Sequence, residues 1–183
     1  CTVDLSAFYF DIRKDALYCD SKDSEKRKSS IIVLNIILES LIKWFAPILS
    51  FTTEEIYKII SKNKKSIHLE NFMEFPKSFK NIKLNEKWIE LKKIRDICNI
   101  SIETKRASKE IGSSLEANIT VSLNEILFKL TENIDFAELC ITSSAKIEKS
   151  NSKEIKATTE KAEGIKCPVC WKINKEKCKR HPN

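Results

Sequence analysis

The chain has 183 residues, 42% apolar and 32% charged, with only two glycines and four prolines. That length suits one good domain or two small ones, and so little Gly and Pro describes a mostly helical protein with few tight turns. The formal charge of +7 favours an anionic partner, most simply nucleic acid; the glycine-built nucleotide cradles GxGxxG and GxxxxGK(S/T) are absent, and no apolar run approaches the roughly 20 residues of a membrane span.

Residues 4–16 open the chain as a helix. Leu5, Phe8 and Ile12 fall at helical spacing, Tyr9 adds to the aromatic cluster, and Asp4 is placed to cap. Cys19–Ser24 is a polar linker whose Ser24 can cap the next helix, over 25–46. There one apolar stripe is Ile31, Leu34, Leu38, Leu41/Ile42 and Phe45, and a second is Val33, Ile37 and Trp44. So wide a face predicts burial on two sides, and Pro47 ends the helix. Thr52-Thr-Glu-Glu55 then reads as a capping box before Ile56, Ile59 and Ile60, and the helix dissolves into 61–65. Residues 1–62 therefore read as three antiparallel helices, about the smallest all-α unit that closes a core.

Residues 63–83 read as irregular, with Ile67-His68-Leu69 extended and Pro76 and Phe79 as packing points. Asn85 is the expected cap of a long helix carrying Trp88, Leu91, Ile94, Cys98 and Ile102 on one face. Its other face holds Lys87, Lys92, Arg95, Lys105, Arg106 and Lys109. Past Gly112 the period changes to two: Ile119, Val121 and Leu123 predict a strand over 117–123. A short helix over 126–131 and a second strand over 136–141 complete a small α+β unit, and 143–160 reads as a polar, partly mobile stretch.

The tail is basic, with nine Lys/Arg against four Glu between Asn151 and Asn183. Seven cysteines without a secretory signal suggest a reducing cytosol, with most as buried thiols. Cys167-Pro-Val-Cys170 is the strongest chemical signal. Two thiolates two residues apart fit one edge of a tetrahedral zinc, with the turn between them aiming amides at sulfur, and neighbouring lysines lower the thiol pKa. A redox dithiol is the rival, without the strand–helix context that such pairs use. Cys178 and His181 follow at C-x7-C-x2-H spacing, so these four can form a small knuckle. His68 reads as a loop residue. No Ser/His/Asp set, HExxH or deaminase pattern occurs, and the carboxylates lie on charged helix faces, so no catalytic site is read.

Three phrases stand in a telling order: Asp4-Leu-Ser-Ala-Phe-Tyr-Phe-Asp11 with Lys14-Asp15, Ile111-Gly-Ser-Ser-Leu-Glu-Ala117, and Lys166-Cys-Pro-Val-Cys-Trp171. Their succession resembles the C-terminal, tRNA-binding third of bacterial isoleucyl-tRNA synthetases, and Trp44-Phe-Ala-Pro-Ile-Leu-Ser-Phe-Thr-Thr-Glu-Glu55 resembles the wider class Ia. The resemblance implies a mainly α fold: a helical anticodon-binding bundle, then a small α+β unit and a truncated zinc knuckle. The corresponding boundaries are 1–62 (bundle), 63–111 (connector and long basic helix), 112–164 (α+β unit) and 165–183 (start of the knuckle).

The resemblance also implies a chemistry outside these residues. ATP and Mg belong to an upstream catalytic domain with His-Ile-Gly-His-like and Lys-Met-Ser-Lys-Ser-like motifs, and valine is cleared in an editing domain, because one methylene discriminates by only about 1–3 kcal/mol. Neither motif occurs here, and the first residue is not Met, so the chain reads as a piece of a longer, monomeric cytoplasmic enzyme acting on tRNA(Ile). In the family a second CxxC follows a His-Pro step. On that pattern His181-Pro182 is the step, zinc is held by Cys167 and Cys170 in an incomplete set, and Cys178 is incidental. Anticodon bases splay onto aromatic or Arg planes while Lys and Arg meet phosphates. The tRNA-binding candidates are Lys43 and Trp44, Arg95 and Arg106, and Trp171, Lys172, Lys179 and Arg180, with Trp171 foremost. Two other readings stay open: a free-standing zinc and RNA-binding helical module without ligase activity, and a helical interaction scaffold with a solubilising tail.

Overall fold

The computed structural model describes residues 2–61 and 65–181. Part of the expected fraying over 61–65 therefore lies outside the described residues, as do Cys1 and Pro182. The chain forms two compact units, Asp20–Lys80 and a discontinuous one made of Cys1–Cys19 with Asn81–Asn183. These boundaries differ from the expected 1–62 bundle. The first helix belongs with the C-terminal half because Ile12 shares a core with Leu91, Ile94 and Cys98.

In the discontinuous unit a π-helical segment, Thr2–Phe10, continues into α1 (Asp11–Cys19). The aromatic block packs on the long helix α4 (Ile82–Ala107), with the Phe8 and Trp88 rings edge to face at 6.0 Å. Asp4 does not cap: its carboxylate pairs with Lys92 at 2.7 Å. The cap of α4 is Asn81, whose side chain accepts the Leu84 amide at 3.0 Å, one turn earlier than the expected Asn85. The expected stripe is correct: Leu91, Ile94, Cys98 and Ile102 are all buried. The Cys98 thiol is pushed up, first by the Cys140 thiol beside it and then by burial, which suits an inert core cysteine.

Strand β1 (Ala117–Leu123) is the centre of a three-stranded sheet, with β2 (Ser144–Lys149) parallel on one side and β3 (Lys156–Lys161) antiparallel on the other. Its alternation is the one read from sequence, with Ala117, Ile119, Val121 and Leu123 buried under α4. Two expectations fail here. Residues 143–160 supply both outer strands, and 136–141 contains helix α6 (Phe136–Leu139) instead of a strand. Asp135 starts α6 by accepting the Glu138 amide, and Phe136, Leu139 and Cys140, at i, i+3 and i+4, all reach the core. Helix α5 (Glu125–Leu130), capped by Asn124, precedes it. A two-stranded hairpin, β4 (Ile165–Lys166) with β5 (Ile173–Asn174), closes the unit.

In the Asp20–Lys80 unit, α2 (Glu25–Phe45) starts at Ser24, whose hydroxyl accepts the Arg27 amide, and stops before Pro47. Helix α3 (Ser50–Ile60) packs on it around Ile42, Ala46, Tyr57 and Ile67. The expected two-sided burial of α2 is not seen, since Ile31, Ile32, Val33, Trp44 and Phe45 are exposed. Nor does the Thr52 capping box form: α3 begins two residues earlier, and Thr53 donates back to the Leu49 carbonyl at 2.9 Å. Glu54 instead accepts the Ser66 hydroxyl and the Ile67 amide, at 2.8 and 2.9 Å. This tie holds a 3-10 turn over Ile67–Leu69 where extended chain was expected. Phe79 stacks near Phe75 at 6.3 Å but stays exposed.

Candidate metal centre and nucleic-acid interface

The β4–β5 hairpin carries the knuckle. Its turn is drawn tight by the Cys167 amide donating to the Lys172 carbonyl at 2.9 Å and the Trp171 amide to the Cys167 carbonyl at 3.0 Å. Trp171 pays for this with a left-handed φ of 63°, a conformation that costs a non-glycine residue about 1–2 kcal/mol. Gly164 enters the hairpin at φ 134°, where a Cβ would sit 2.2 Å from the Asn174 carbonyl oxygen, so only glycine fits.

The knuckle and the following loop bring Cys167, Cys170, Cys178 and His181 together, their donor atoms all within 4.8 Å of one another. His181 Nδ1 is 3.5 Å from the sulfurs of both Cys167 and Cys178, and Cys170 and Cys178 sulfurs are 3.9 Å apart. With Zn–N near 2.0–2.1 Å and Zn–S near 2.3 Å, tetrahedral edges are about 3.6 Å for N···S and about 3.8 Å for S···S. These three separations and the chemistry of the donors suit zinc, and the cluster could hold it. Cys178 and His181 thus stand beside the Cys167–Cys170 pair, so the cluster offers four possible donors where the family's pattern led to an incomplete set.

The surroundings favour ligation. Burial raises the Cys167 thiol, but the amides of Cys170 and Val169, with Cys170 and His181, outweigh it and bring it down to about 6. Cys178 is likewise lowered: burial opposes, and the Arg180 and His181 amides prevail. Cys170 moves the other way and is raised to about 11, first by burial and then by the neighbouring Cys167 and Cys178 thiols. The Cys19 carbonyl raises the His181 pKa first of all. That carbonyl can only accept, so at 2.7 Å it holds the proton on Nε2 and leaves Nδ1 facing the sulfurs.

Around the cluster lies a basic, partly apolar surface. Trp171 is 60% exposed, so its ring is not packed away on the turn. It lines an apolar cavity of about 340 Å³ with Tyr18, Ile141 and Val169. A more polar groove of about 540 Å³ adjoins, lined by Lys172, Lys175, Lys177, Lys179 and Arg180. Lys175, Lys177 and Tyr18 join this surface although they were not singled out from the sequence; for the lysines, the alternation over 172–179 was the available signal.

The other candidates are placed differently. Arg95 is only 12% exposed. It donates to the Leu139 carbonyl at 2.8 Å and lies over the Phe8 ring, so its guanidinium is engaged within the fold. Arg106 pairs with Glu103 at 2.7 Å on an exposed face of α4. In the other unit, Lys43 pairs with Glu39 at 2.9 Å and is largely covered, while Trp44 is half exposed and not the core residue its stripe implied.

Comparison with known proteins extends this picture. Residues 1–121 match the family model described as the anticodon-binding domain of tRNA ligase. The chain is 72% identical over 181 residues to an isoleucine–tRNA ligase of Pelagibacter ubique, covering 99% of this chain and 20% of that protein. It is 40% identical to that of Bartonella quintana and 41% to that of Agrobacterium fabrum, covering 94% and 93% of the chain. The chain thus spans about a fifth of the length of these curated relatives. Among the described residues no helix is long and apolar enough to cross a membrane.

Proposed function

The chain belongs to the anticodon-binding domain family of tRNA ligases, and from that premise we propose that it is the tRNA-binding region of an isoleucine–tRNA ligase. The observation that carries this reading is the match to isoleucine–tRNA ligases along nearly the whole chain, at up to 72% identity. The activity then belongs to a longer cytoplasmic protein that joins isoleucine to tRNA(Ile) with ATP and Mg and edits mischarged valine. These residues contribute binding. Trp171 offers an exposed ring for a splayed anticodon base, and Lys172 and Lys179, with Lys175, Lys177 and the exposed side of Arg180, which also pairs with Asp15, offer cations to the backbone. Trp44 and Arg106 are further contacts. Cys167, Cys170, Cys178 and His181 would hold a structural zinc that shapes the loop carrying these groups.

The test is binding to tRNA, with transcripts differing only in the anticodon as competitors, at two salt concentrations. Preference for the isoleucine anticodon, with affinity falling as salt rises, is the expected result. Equal binding to every transcript would favour the generic RNA-binding module instead, and salt-independent or absent binding the helical scaffold.

A further inference from the structure

The four-donor cluster is not held by its own loop alone. Helix α1, more than 140 residues away in sequence, reaches it through three contacts, one from Asp15 and two from Cys19 at its end. The Arg180 guanidinium donates to the Asp15 carboxylate at 2.6 Å. The His181 Nε2–H donates to the Cys19 carbonyl at 2.7 Å. The Cys19 thiol lies 3.6 Å from the Val169 carbonyl. Each partner is a donor residue or sits between two of them: Val169 lies between Cys167 and Cys170, and Arg180 between Cys178 and His181.

These contacts have a helical logic. The last four carbonyls of a helix have no intrahelical partner, and its C-terminal end carries partial negative charge. The Cys19 carbonyl is one of these, and the group that satisfies it is the far nitrogen of a donor imidazole. Metal-bound histidines commonly donate their second N–H to a carbonyl or carboxylate, which fixes the tautomer and aims the ring. Asp15, one turn earlier and 25% exposed, fixes the same loop through Arg180.

We propose that Asp15 and the Cys19 carbonyl are positioning groups of the metal centre, so that metal occupancy sets the docking of the last turn of α1. This rests on the reading that the four donors hold zinc. The coupling is reciprocal: whatever the docked helix adds to metal affinity, the metal adds to helix docking.

The experiment measures zinc affinity on the intact chain by competition with a chromophoric chelator, beside amide exchange of residues 16–19 with and without zinc. Asp15→Asn should bind zinc about 10-fold more weakly, with partial recovery in Asp15→Glu. Lys14→Ala, which removes an exposed pair on the same helix, should leave affinity within about 2-fold. Exchange at 16–19 in the unaltered chain should slow on zinc loading. Wild-type affinity in a folded Asp15→Asn variant overturns the proposal, and so, independently of any variant, does exchange at 16–19 that ignores bound zinc; in both cases the four-donor reading stands. Failure of the unaltered chain to bind zinc removes both.

Discussion

Ser143 is 8% exposed and joins three parts of the discontinuous unit. Its hydroxyl donates to the Leu115 carbonyl at 2.5 Å and accepts the Ile173 amide at 2.6 Å, tying the segment before β1 to the hairpin that carries the knuckle. Ser143→Ala removes both bonds and keeps the backbone. The partly buried Ile173 amide loses its acceptor, and a donor left unsatisfied away from water costs about 1–3 kcal/mol; the lost bond to Leu115 adds about 1 kcal/mol. The expected destabilisation is therefore about 2–4 kcal/mol, or roughly 6–12 °C in Tm at about 3 °C per kcal/mol. Chemical and thermal denaturation read it, with Ser144→Ala as the neighbouring control. The Ser144 hydroxyl bonds Asn118 at 2.7 Å on an exposed face, so its loss should stay within about 0.5 kcal/mol. A Ser143→Ala variant as stable as that control would refute the reasoning, because it would mean the hydroxyl relay carries no net energy.

Trp171→Ala should weaken tRNA binding by about 1–3 kcal/mol, the usual worth of a base–aromatic stack, with zinc content unchanged; unchanged affinity by filter binding would remove Trp171 from the interface. Cys178→Ser should lower zinc affinity at least about 10-fold and weaken the absorption of the cobalt-substituted chain, whereas unaltered stoichiometry and affinity would dismiss the four-donor set. The Glu116 carboxyl is held below its ordinary value, first by the Gly112 amide at 2.9 Å and then by Lys166. A depressed folded-state pKa gives stability that is complete above the unfolded value of 4.5 and is lost as pH falls through the folded one. Glu116→Gln should therefore flatten part of the acid limb of a stability-versus-pH curve, and an NMR titration of Glu116 should show its inflection below 4.5.

Where local pattern and tertiary demand agree, the elements were legible. Ser24 capping α2, the α4 stripe and the alternation of β1 need nothing beyond their own residues. Strands β2 and β3 were not legible, because Ser144–Lys149 and Lys156–Lys161 carry few apolar residues and owe their extension to pairing with β1. The Phe136–Ile141 run is short enough for either period, and the Asp135 cap decides it. In the candidate site the CxxC pair announced itself. Cys178 and His181 had the right spacing but were set aside on the family's pattern. Asp15, Cys19 and Ser143 had no signal, since each meets the knuckle across a long stretch of chain, 165 residues for Asp15 and Arg180.

The split of one unit into Cys1–Cys19 and Asn81–Asn183 sets an order of events at the ribosome. The aromatic face of the first helix emerges before any of its partners on α4 has been made. At 5–20 residues per second, the intervening segment of about sixty residues takes roughly 3–12 s to synthesise. During that interval Phe8 and Ile12 lack the α4 residues that cover them in the fold, a delay long on the timescale of chaperone encounter. A ribosome stalled between Asp20 and Lys80 should leave this segment as a chaperone client, and nascent chains extended past Ile102 should release it.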